Sequence, residues 1–277
     1  MNPKNPGRNS LKVESRLRKD MFNKNEIQLK SKEEFAIMRK AGRVVALCLE
    51  EIKNQIKPGM STKDLDKIAY SIMEKENAKP SFLGYHGYPA VICVSVNEEV
   101  VHGIPREDKI IQDGDLVSVD CGAIIDGWHG DAAVTIGVGN VKPEHKKLSE
   151  ITEKALQVGI NAAIAGKRIG DIGFAIEKFV KTFSDLKIGI LEDYVGHGIG
   201  TQMHMPPSVP NYGKAGTGPE IKVGMALAIE PMLVLGSNKV HVLEDEWTVV
   251  SSYGNFASHW ENTIAITENG PEILTKL

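Results

Sequence analysis

Residues 114–120 read Gly114-Asp115-Leu116-Val117-Ser118-Val119-Asp120, which is a turn glycine, an apolar run and an acid six residues after the glycine. Residues 224–230 have the same form and read Gly224-Met225-Ala226-Leu227-Ala228-Ile229-Glu230. Short apolar runs that follow a glycine are typical of buried β-strands. The two runs therefore predict equivalent strands that carry Asp120 and Glu230 at corresponding positions.

The repeat extends upstream of these strands. Gly59 is followed five residues later by Asp64, and Gly166 is followed five residues later by Asp171. Each of these patterns, residues 57–65 and residues 165–172, lies between two helical segments. From this glycine to the acid of the apolar run, the chain has 61 residues in the first half and 64 in the second. Because such self-similarity indicates repeated structural units, we expect two related α/β halves about a pseudo-twofold axis, with Asp120 facing Glu230.

The remaining patterns predict an α+β fold in which helices cover the outer face of one mixed sheet. Apolar periodicity indicates helices at about residues 33–53, 62–77, 144–165 and 170–184, the first beginning at a capping box of Ser31 with Glu34. Segments rich in β-branched residues predict strands at Val91–Val96, Leu116–Val119, Ala132–Ile136, Ala226–Ile229, Trp247–Val250 and Thr263–Ile266.

Composition limits the class of protein. The chain has 277 residues, 42% of them apolar and 25% charged, with a net charge of −3, so it can bury a sizeable core and gives no reason to expect nucleic acid across its whole surface. Its longest apolar stretches are too short to span a bilayer and no signal sequence opens it. We therefore expect a cytoplasmic protein with no membrane contact.

The cysteines and the first thirty residues carry two further expectations. Cys48, Cys93 and Cys121 are an odd number without metal-finger spacing, which indicates reduced core or pocket residues.

Residues 1–30 contain eight Lys or Arg and three acids with little apolar periodicity. We divide the chain into a basic extension, residues 1–30, and a catalytic domain, residues 31–277.

Four acids next to apolar strands need an explanation. Asp120 is expected to end one strand, Asp131 to begin the next after a loop, Glu230 to follow Ile229, and Glu261 to precede the final strand. For a single acid of this kind an ordinary ion pair or turn role is the commoner case. Four of them, with few basic residues nearby, indicate a cation site because buried carboxylates need a partner of opposite charge.

An imidazole completes the predicted site. His197 lies in Gly196-His197-Gly198-Ile199-Gly200, where the glycines allow close approach to a ligand. Four carboxylates and one imidazole can hold two divalent ions, and this donor set favours Mn²⁺, Fe²⁺ or Co²⁺, with Zn²⁺ also compatible. Such a pair activates a bridging water and polarises a carbonyl. The residues therefore predict a hydrolase that needs no nucleophilic Ser or Cys.

Two more histidines are suited to the chemistry of a tetrahedral intermediate. His102 and His204 lie in Gly- or Pro-containing loops, and His204 follows His197 by seven residues. His129 has two equal interpretations, which are support of the metal ligands and simple exposure. His145, His241 and His259 are assigned to the surface or to packing.

Together these residues resemble the type I methionine aminopeptidases. The resemblance runs from about Ser31 to Leu274 and follows the family order of motifs. The motifs are Leu83-Gly84-Tyr85-His86-Gly87-Tyr88-Pro89, Asn97-Glu98, His102-Gly103-Ile104-Pro105, Asp120, His129-Gly130-Asp131, Gly196-His197-Gly198-Ile199-Gly200, Ile229-Glu230-Pro231 and Glu261.

The resemblance implies a "pita-bread" fold and removal of the initiator methionine from nascent polypeptides with a small second residue, by attack of a metal-bridging hydroxide on the first peptide bond. It implies metal ligands at Asp120, Asp131, His197, Glu230 and Glu261. It also implies substrate contacts from His102 and His204, with Glu230 as proton acceptor. The implied methionine pocket comprises Phe82, Tyr85, Tyr88, Cys93, Met203 and Trp247, although core packing is an equally good reading of Phe82 and Met203.

The sequence departs from the commonest family pattern in that pocket. The family often has a smaller residue or Cys in place of Phe82 and an aromatic residue in place of Met203. This exchange can conserve volume while moving bulk from one wall to the other. We expect it to alter inhibitor selectivity more than methionine preference.

Two alternatives remain open at this stage. A proline-directed aminopeptidase or dipeptidase of the same fold has the same five ligands, usually with a large extra N-terminal domain that is absent here. A catalytically inactive binding protein would have lost ligands, and none is lost. An active enzyme, expected to be a monomer, could still contact the ribosome through its basic extension.

Overall fold

The computed structural model describes residues 27–277. Its helices are α1 (Lys32–Gln55), α2 (Thr62–Lys75), α3 (Pro143–Ala162) and α4 (Ile169–Val180). The four predicted helices are thereby confirmed, with shorter C-terminal ends for the last three. Helix α1 begins as predicted, because the Ser31 hydroxyl accepts from Glu34 N at 3.2 Å and Glu34 Oε2 accepts from Ser31 N at 2.7 Å.

Fifteen strands and one 3₁₀ turn, Tyr85–Gly87, complete the described residues. The first eight strands are β1 (Lys79–Pro80), β2 (Ile92–Val96), β3 (Glu99–Val101), β4 (Leu116–Ile125), β5 (Trp128–Gly137), β6 (Ile188–Ile190), β7 (Gly196–Gly198) and β8 (Met205–Val209). The others are β9 (Ala226–Ile229), β10 (Met232–Leu235), β11 (Val240–Val242), β12 (Val249–Ser251), β13 (Ala257–His259), β14 (Glu261–Thr267) and β15 (Gly270–Ile273).

One large sheet organises the fold. Nine strands form it in the order β1-β4-β5-β14-β9-β7-β8, with β2 beside β4 and β15 beside β14, and their ladders are antiparallel. Two three-stranded sheets, β13-β10-β6 and β11-β12-β3, flank it. The α+β fold class with a central helix-covered sheet is confirmed.

The hairpin of β4 and β5 is longer than predicted. Asp120 and Asp131 lie within these strands, and not at a strand end and after a loop as expected. The strands pair continuously to Ile125 and Trp128, and the two residues between them, Asp126 and Gly127, have φ values of 48° and 82°. An Asp-Gly pair is a strong signal for such a two-residue turn. Because the prediction did not include this turn, both predicted strands were too short.

The predicted repeat is confirmed by equivalent hydrogen bonds. In the first half Gly59 N donates to Ile111 O at 2.9 Å, and in the second Gly166 N donates to Ile221 O at 2.9 Å. Isolated bridges join Ser61 to Ile110 and Arg168 to Glu220 at the matching places. The segment that leads into the central strand therefore makes the same backbone contacts in both halves.

The core divides in the same way. Helices α1 and α2 pack with β2, β4 and β5 around side chains such as Ile52, while α3 and α4 pack with β9 and β14 around side chains such as Leu156. The three cysteines are buried and unbridged, as predicted. Residues 27–30 contact this body: Lys30 is buried, and its backbone N–H donates to Gly224 O at 2.7 Å. Within residues 27–277, none of the helices has the length and apolarity needed to cross a membrane.

Candidate metal centre

Strand register places three of the predicted acids on one face of the large sheet. Asp120 pairs with Ala133, and Ala133 pairs with Glu261 on its other side. Directly opposed residues of antiparallel strands present their side chains on the same face. Asp131 is two residues before Ala133 and so shares that face. The β4–β5–β14 ladder thus brings together acids that are far apart in sequence.

The second half of the chain places the other two predicted ligands on the same face. His197 pairs with Ala228, which pairs with Thr263, two residues after Glu261. Glu230 follows β9 two residues after Ala228. The period of two along strands puts His197 and Glu230 on the side that carries Glu261. All five predicted ligands therefore converge at one place.

The glycines beside His197 are needed for close strand approach. A Cβ at Gly196 would lie 2.4 Å from Ala228 O, and a Cβ at Gly198 would lie 2.2 Å from Pro206 O. The ring of His197 is fixed by its Nδ1, which is 2.9 Å from Gly198 O. Because a carbonyl oxygen only accepts, Nδ1 carries the proton and the Nε2 lone pair is left for a metal.

The donor atoms lie at distances that suit a metal ion. His197 Nε2 is 3.5 Å from Glu230 Oε1. Ligand atoms of Asp131, His197 and Glu261 lie within 4.8 Å of one another. Asp120 lies beside this group, because its partner Ala133 also pairs with Glu261 and is two residues from Asp131. Carboxylates this close repel one another, and a bound cation would relieve the repulsion.

Orphaned polar atoms support the fit to metal ions. Asp120 Oδ1, Asp131 Oδ1 and Glu261 Oε1 are buried and have no hydrogen-bond partner among the described residues. A buried carboxylate oxygen without a partner is costly unless a cation compensates it. Four carboxylates with an imidazole are also a donor set that divalent first-row ions accept. The residues present therefore fit the predicted group.

The pKa values of these acids reflect the same crowding. Desolvation raises the pKa of Asp120 to about 7. The pKa of Asp131 is raised well above its ordinary value by desolvation and then by the charges of Glu261 and Asp120. Desolvation followed by neighbouring carboxylates has the same effect on the pKa of Glu230 and of Glu261. In the metal-free protein these groups resist ionisation, and a bound cation reverses that preference.

The two predicted substrate-contacting histidines border the ligands. The rings of His204 and His197 have centroids 4.3 Å apart, and His204 Nδ1 is 2.7 Å from the Tyr85 hydroxyl. His102 has a φ of 61° and its ring lies edge-on to Trp247 at 6.5 Å. Desolvation lowers the pKa of His102 to about 4 and that of His204 well below its ordinary value. Both imidazoles are therefore neutral near pH 7.

The six predicted pocket residues form one apolar cluster beside the ligands. Phe82, Tyr88, Cys93 and Met203 are buried, and Tyr85 and Trp247 pack against them. Cys93 is the cross-strand neighbour of Asp120, which sets the cluster next to the metal ligands. Ala90 and Ile104 also belong to this cluster, although no residue pattern singled them out.

Comparison with known proteins identifies the family. Residues 36–268 match the model of metallopeptidase family M24. The chain is 51% identical over 246 residues to "Methionine aminopeptidase 1" of Mycobacterium tuberculosis, covering 87% of this chain and 92% of that protein. The chain belongs to the methionine aminopeptidases of metallopeptidase family M24. This membership confirms the resemblance, the hydrolase class and the family activity, which is metal-dependent removal of an N-terminal methionine.

Solved structures agree with this aminopeptidase assignment. The crystal structure of methionine aminopeptidase from Thermotoga maritima superposes with a TM-score of 0.89 at 44% identity, covering 91% of this chain and all of that one. Prolidase from Pyrococcus furiosus has a TM-score of 0.71 at 24% identity, covering 90% of this chain and 65% of that one, and so shares the fold. The pita-bread fold expected from the resemblance is confirmed.

One histidine of this aminopeptidase lies closer to the acids than its sequence position indicated. His259 was assigned to the surface or to packing, but it is buried and its Nε2 is 3.8 Å from Glu230 Oε2 and 3.8 Å from Glu261 Oε2. That Nε2 has no hydrogen-bond partner among the described residues. The available signal was its position two residues before Glu261, since alternate residues of an extended chain point to one side.

The other histidines fall outside the ligand group. His129, on β5 near Asp131, is half-buried and its Nδ1 is 2.9 Å from Ser81 Oγ. His145 packs flat on Phe256 at 3.5 Å between ring centroids, and His241 is exposed, as expected for packing and surface residues.

Proposed function

We propose that this chain removes N-terminal methionine by means of two divalent metal ions held by Asp120, Asp131, His197, Glu230 and Glu261. The observation that carries the proposal is the convergence of four acids and an imidazole on one face of the sheet, with three orphaned buried carboxylate oxygens among them. When bound, the ions supply an activated water and Lewis-acid polarisation of the scissile carbonyl.

The chain's own groups orient the substrate and move protons. Glu230 is half-buried at the edge of the ligand group, so its carboxylate is suited to accept a proton from the attacking water. His102 and His204 are neutral imidazoles that can each donate one hydrogen bond, either to the developing oxyanion or to the leaving amine. This division of roles needs no covalent intermediate with the protein.

The apolar cluster beside Asp120 suits a methionine side chain. An unbranched thioether fills irregular apolar space and makes favourable contacts with aromatic rings, and the cluster offers Tyr88 and Trp247 with ring centroids 5.0 Å apart. Because Cys93 in this pocket pairs with Asp120, a methionine seated there presents its peptide bond to the ligands. A bulky second residue would then crowd the same ligands, which explains the expected preference for small ones.

A single assay series tests this function. After chelator treatment, initial rates on Met-Ala-Ser and on an Xaa-Pro peptide are measured during titration with Mn²⁺, Fe²⁺, Co²⁺ and Zn²⁺. We expect hydrolysis of Met-Ala-Ser alone, with most activity on Mn²⁺, Fe²⁺ or Co²⁺. Preference for the Xaa-Pro peptide would favour the proline-directed alternative, and activity in the metal-free protein would contradict the metal mechanism.

A matched pair of variants assigns the ligands. Asp131→Ala and Glu230→Ala should each abolish hydrolysis while the metal-free proteins keep their folded circular dichroism spectrum. Asp126→Ala is the control, because Asp126 is an acid of the same hairpin located in its turn. Retained activity in either ligand variant would remove that residue from the site.

We further propose that the enzyme is a cytoplasmic monomer that meets nascent polypeptides near the ribosome through its basic extension. The supporting feature is the charge of residues 1–26, which hold seven Lys or Arg and three acids. Their structure lies outside the described residues. Since residues 27–30 pack on the body, the test deletes residues 1–26 and measures salt-sensitive co-sedimentation with ribosomes, which should weaken. Unchanged co-sedimentation would contradict the contact.

A further inference from the structure

The carboxylate of Glu230 lies between two imidazoles. Its Oε1 faces His197 Nε2 at 3.5 Å and its Oε2 faces His259 Nε2 at 3.8 Å. The second imidazole is also 3.8 Å from Glu261 Oε2. Sequence motifs account for His197 alone, so His259 is a buried polar group that the proposed mechanism leaves unused.

The distances from His259 argue against ordinary hydrogen bonds. Nitrogen to oxygen hydrogen bonds have lengths of about 2.7–3.2 Å, and 3.8 Å is beyond that range. Three such atoms close together without hydrogen bonds from His259 to the carboxylates are instead arranged as ligands of one metal ion are. Ligand atoms of Glu230, His259 and Glu261 lie within 4.8 Å of one another, as do those of Asp131, His197 and Glu261.

The backbone holds His259 firmly in this place. Its N–H donates to Thr135 Oγ1 at 3.0 Å, and the same hydroxyl donates to His259 O at 2.8 Å. His259 also pairs with Met232, two residues after Glu230. Strand β10 follows Glu230 and pairs with β13, and this pairing places the His259 imidazole beside Glu230.

We propose that His259 Nε2 is an additional metal ligand, which would hold an ion together with Glu230 and Glu261. This inference rests on the two-metal centre proposed above. It adds a sixth protein ligand, an imidazole, to the four carboxylates and His197.

Nitrogen NMR of the full chain tests the ligand directly. The protein is labelled with ¹⁵N-histidine and loaded with Zn²⁺, which is diamagnetic, and the His259 signals are assigned by their loss in His259→Gln. We expect His259 to carry its proton on Nδ1 and to show a metal-shifted Nε2, like His197. A proton retained on Nε2 of His259, with His197 shifted, would overturn the proposal and leave the metal centre intact. Absence of a shift at both histidines would refute the metal centre itself.

Metal affinity gives a second test that does not depend on activity. Titration calorimetry of His259→Gln should show Co²⁺ affinity at one of two sites reduced by at least about tenfold. Mn²⁺ affinity should fall less, because Mn²⁺ gains less from a nitrogen ligand. The control is His145→Gln, a buried histidine stacked on Phe256, which should bind both ions as the parent does. Equal Co²⁺ affinity in parent and His259→Gln would overturn the proposal.

Discussion

The hydroxyl of Tyr85 lies 2.7 Å from Nδ1 of His204. This contact holds the orientation of an imidazole whose ring also lies against that of His197. The geometry at His204 therefore depends on a tyrosine of the 3₁₀ turn Tyr85–Gly87, which also borders the apolar pocket. In the proposed mechanism, this side chain would connect the methionine pocket with the hydrogen-bond donor His204.

Replacing Tyr85 with Phe should impair catalysis more than binding. A net hydrogen bond is worth about 1 kcal/mol, so we expect kcat on Met-Ala-Ser to fall roughly fivefold to tenfold with KM nearly constant. Steady-state kinetics of Tyr85→Phe measures both constants. Tyr70→Phe is the control, because Tyr70 is an exposed tyrosine of α2. An unchanged kcat in Tyr85→Phe would show that the contact does not position His204.

The metal-free protein should lose stability as the pH rises from about 6.5 to 8. Carboxyl groups with raised pKa values, such as Asp120 at about 7, hold protons in the folded state that the unfolded chain has already released. Folding then costs more as pH passes through the folded-state pKa. The buried histidines act in the opposite direction, but only below about pH 6.5, because their pKa values are lowered to about 4 or less.

Urea unfolding of chelator-treated protein at several pH values measures this dependence. Asp131→Asn removes one of the ionisable groups and should reduce the slope between pH 6.5 and 8. Addition of Mn²⁺ or Co²⁺ should reverse the trend, since the ionised carboxylates then bind metal. If the stability of the metal-free protein rises over this pH range, the buried carboxyl groups do not have raised pKa values.

Much of the fold and the site was predictable because each part depends on a local pattern. The capping box at Ser31 and the glycine at the start of each repeat act within a few residues, and the repeat then relates the two halves. Four of the five candidate ligands could be chosen because acids beside apolar strands are unusual, and His197 because glycines flank it. By contrast, strand length past Asp120 depended on the Asp126-Gly127 turn, and the position of His259 depends on pairing with Met232 across the chain. Such long-range pairing leaves little trace in a single sequence.

Thr263 should control both stability and metal affinity. Its buried hydroxyl accepts from Asp131 N at 3.0 Å and donates to Asp131 O at 2.8 Å. In Thr263→Val these two backbone groups lose their partner, which costs about 1–3 kcal/mol for each buried group left unsatisfied. The shift of Asp131 should also weaken Co²⁺ binding by about tenfold.

Urea denaturation and calorimetry of Thr263→Val check both effects. The control is Thr152→Val, because Thr152 is buried in α3 and its hydroxyl donates to Leu148 O, a helix carbonyl. The control should keep the Co²⁺ affinity of the parent. If both variants bind Co²⁺ equally well, the hydroxyl of Thr263 has no part in positioning Asp131.

Exchange of bulk between Phe82 and Met203 should change inhibitor selectivity. Both residues are buried in the apolar cluster, and the Phe82 ring packs so closely on β4 that a Cβ at Gly122 would lie 2.8 Å from its Cε1. Phe82→Cys alone opens a cavity and should cost roughly 3 kcal/mol. Adding Met203→Phe returns volume from the opposite side, so kcat/KM on Met-Ala-Ser should change by less than about tenfold. Relative affinities across a panel of pocket-binding inhibitors should shift by about tenfold or more, because the walls differ in shape. Inhibition constants for parent and double variant measure this shift, and an unchanged rank order would show that these two side chains do not set pocket selectivity.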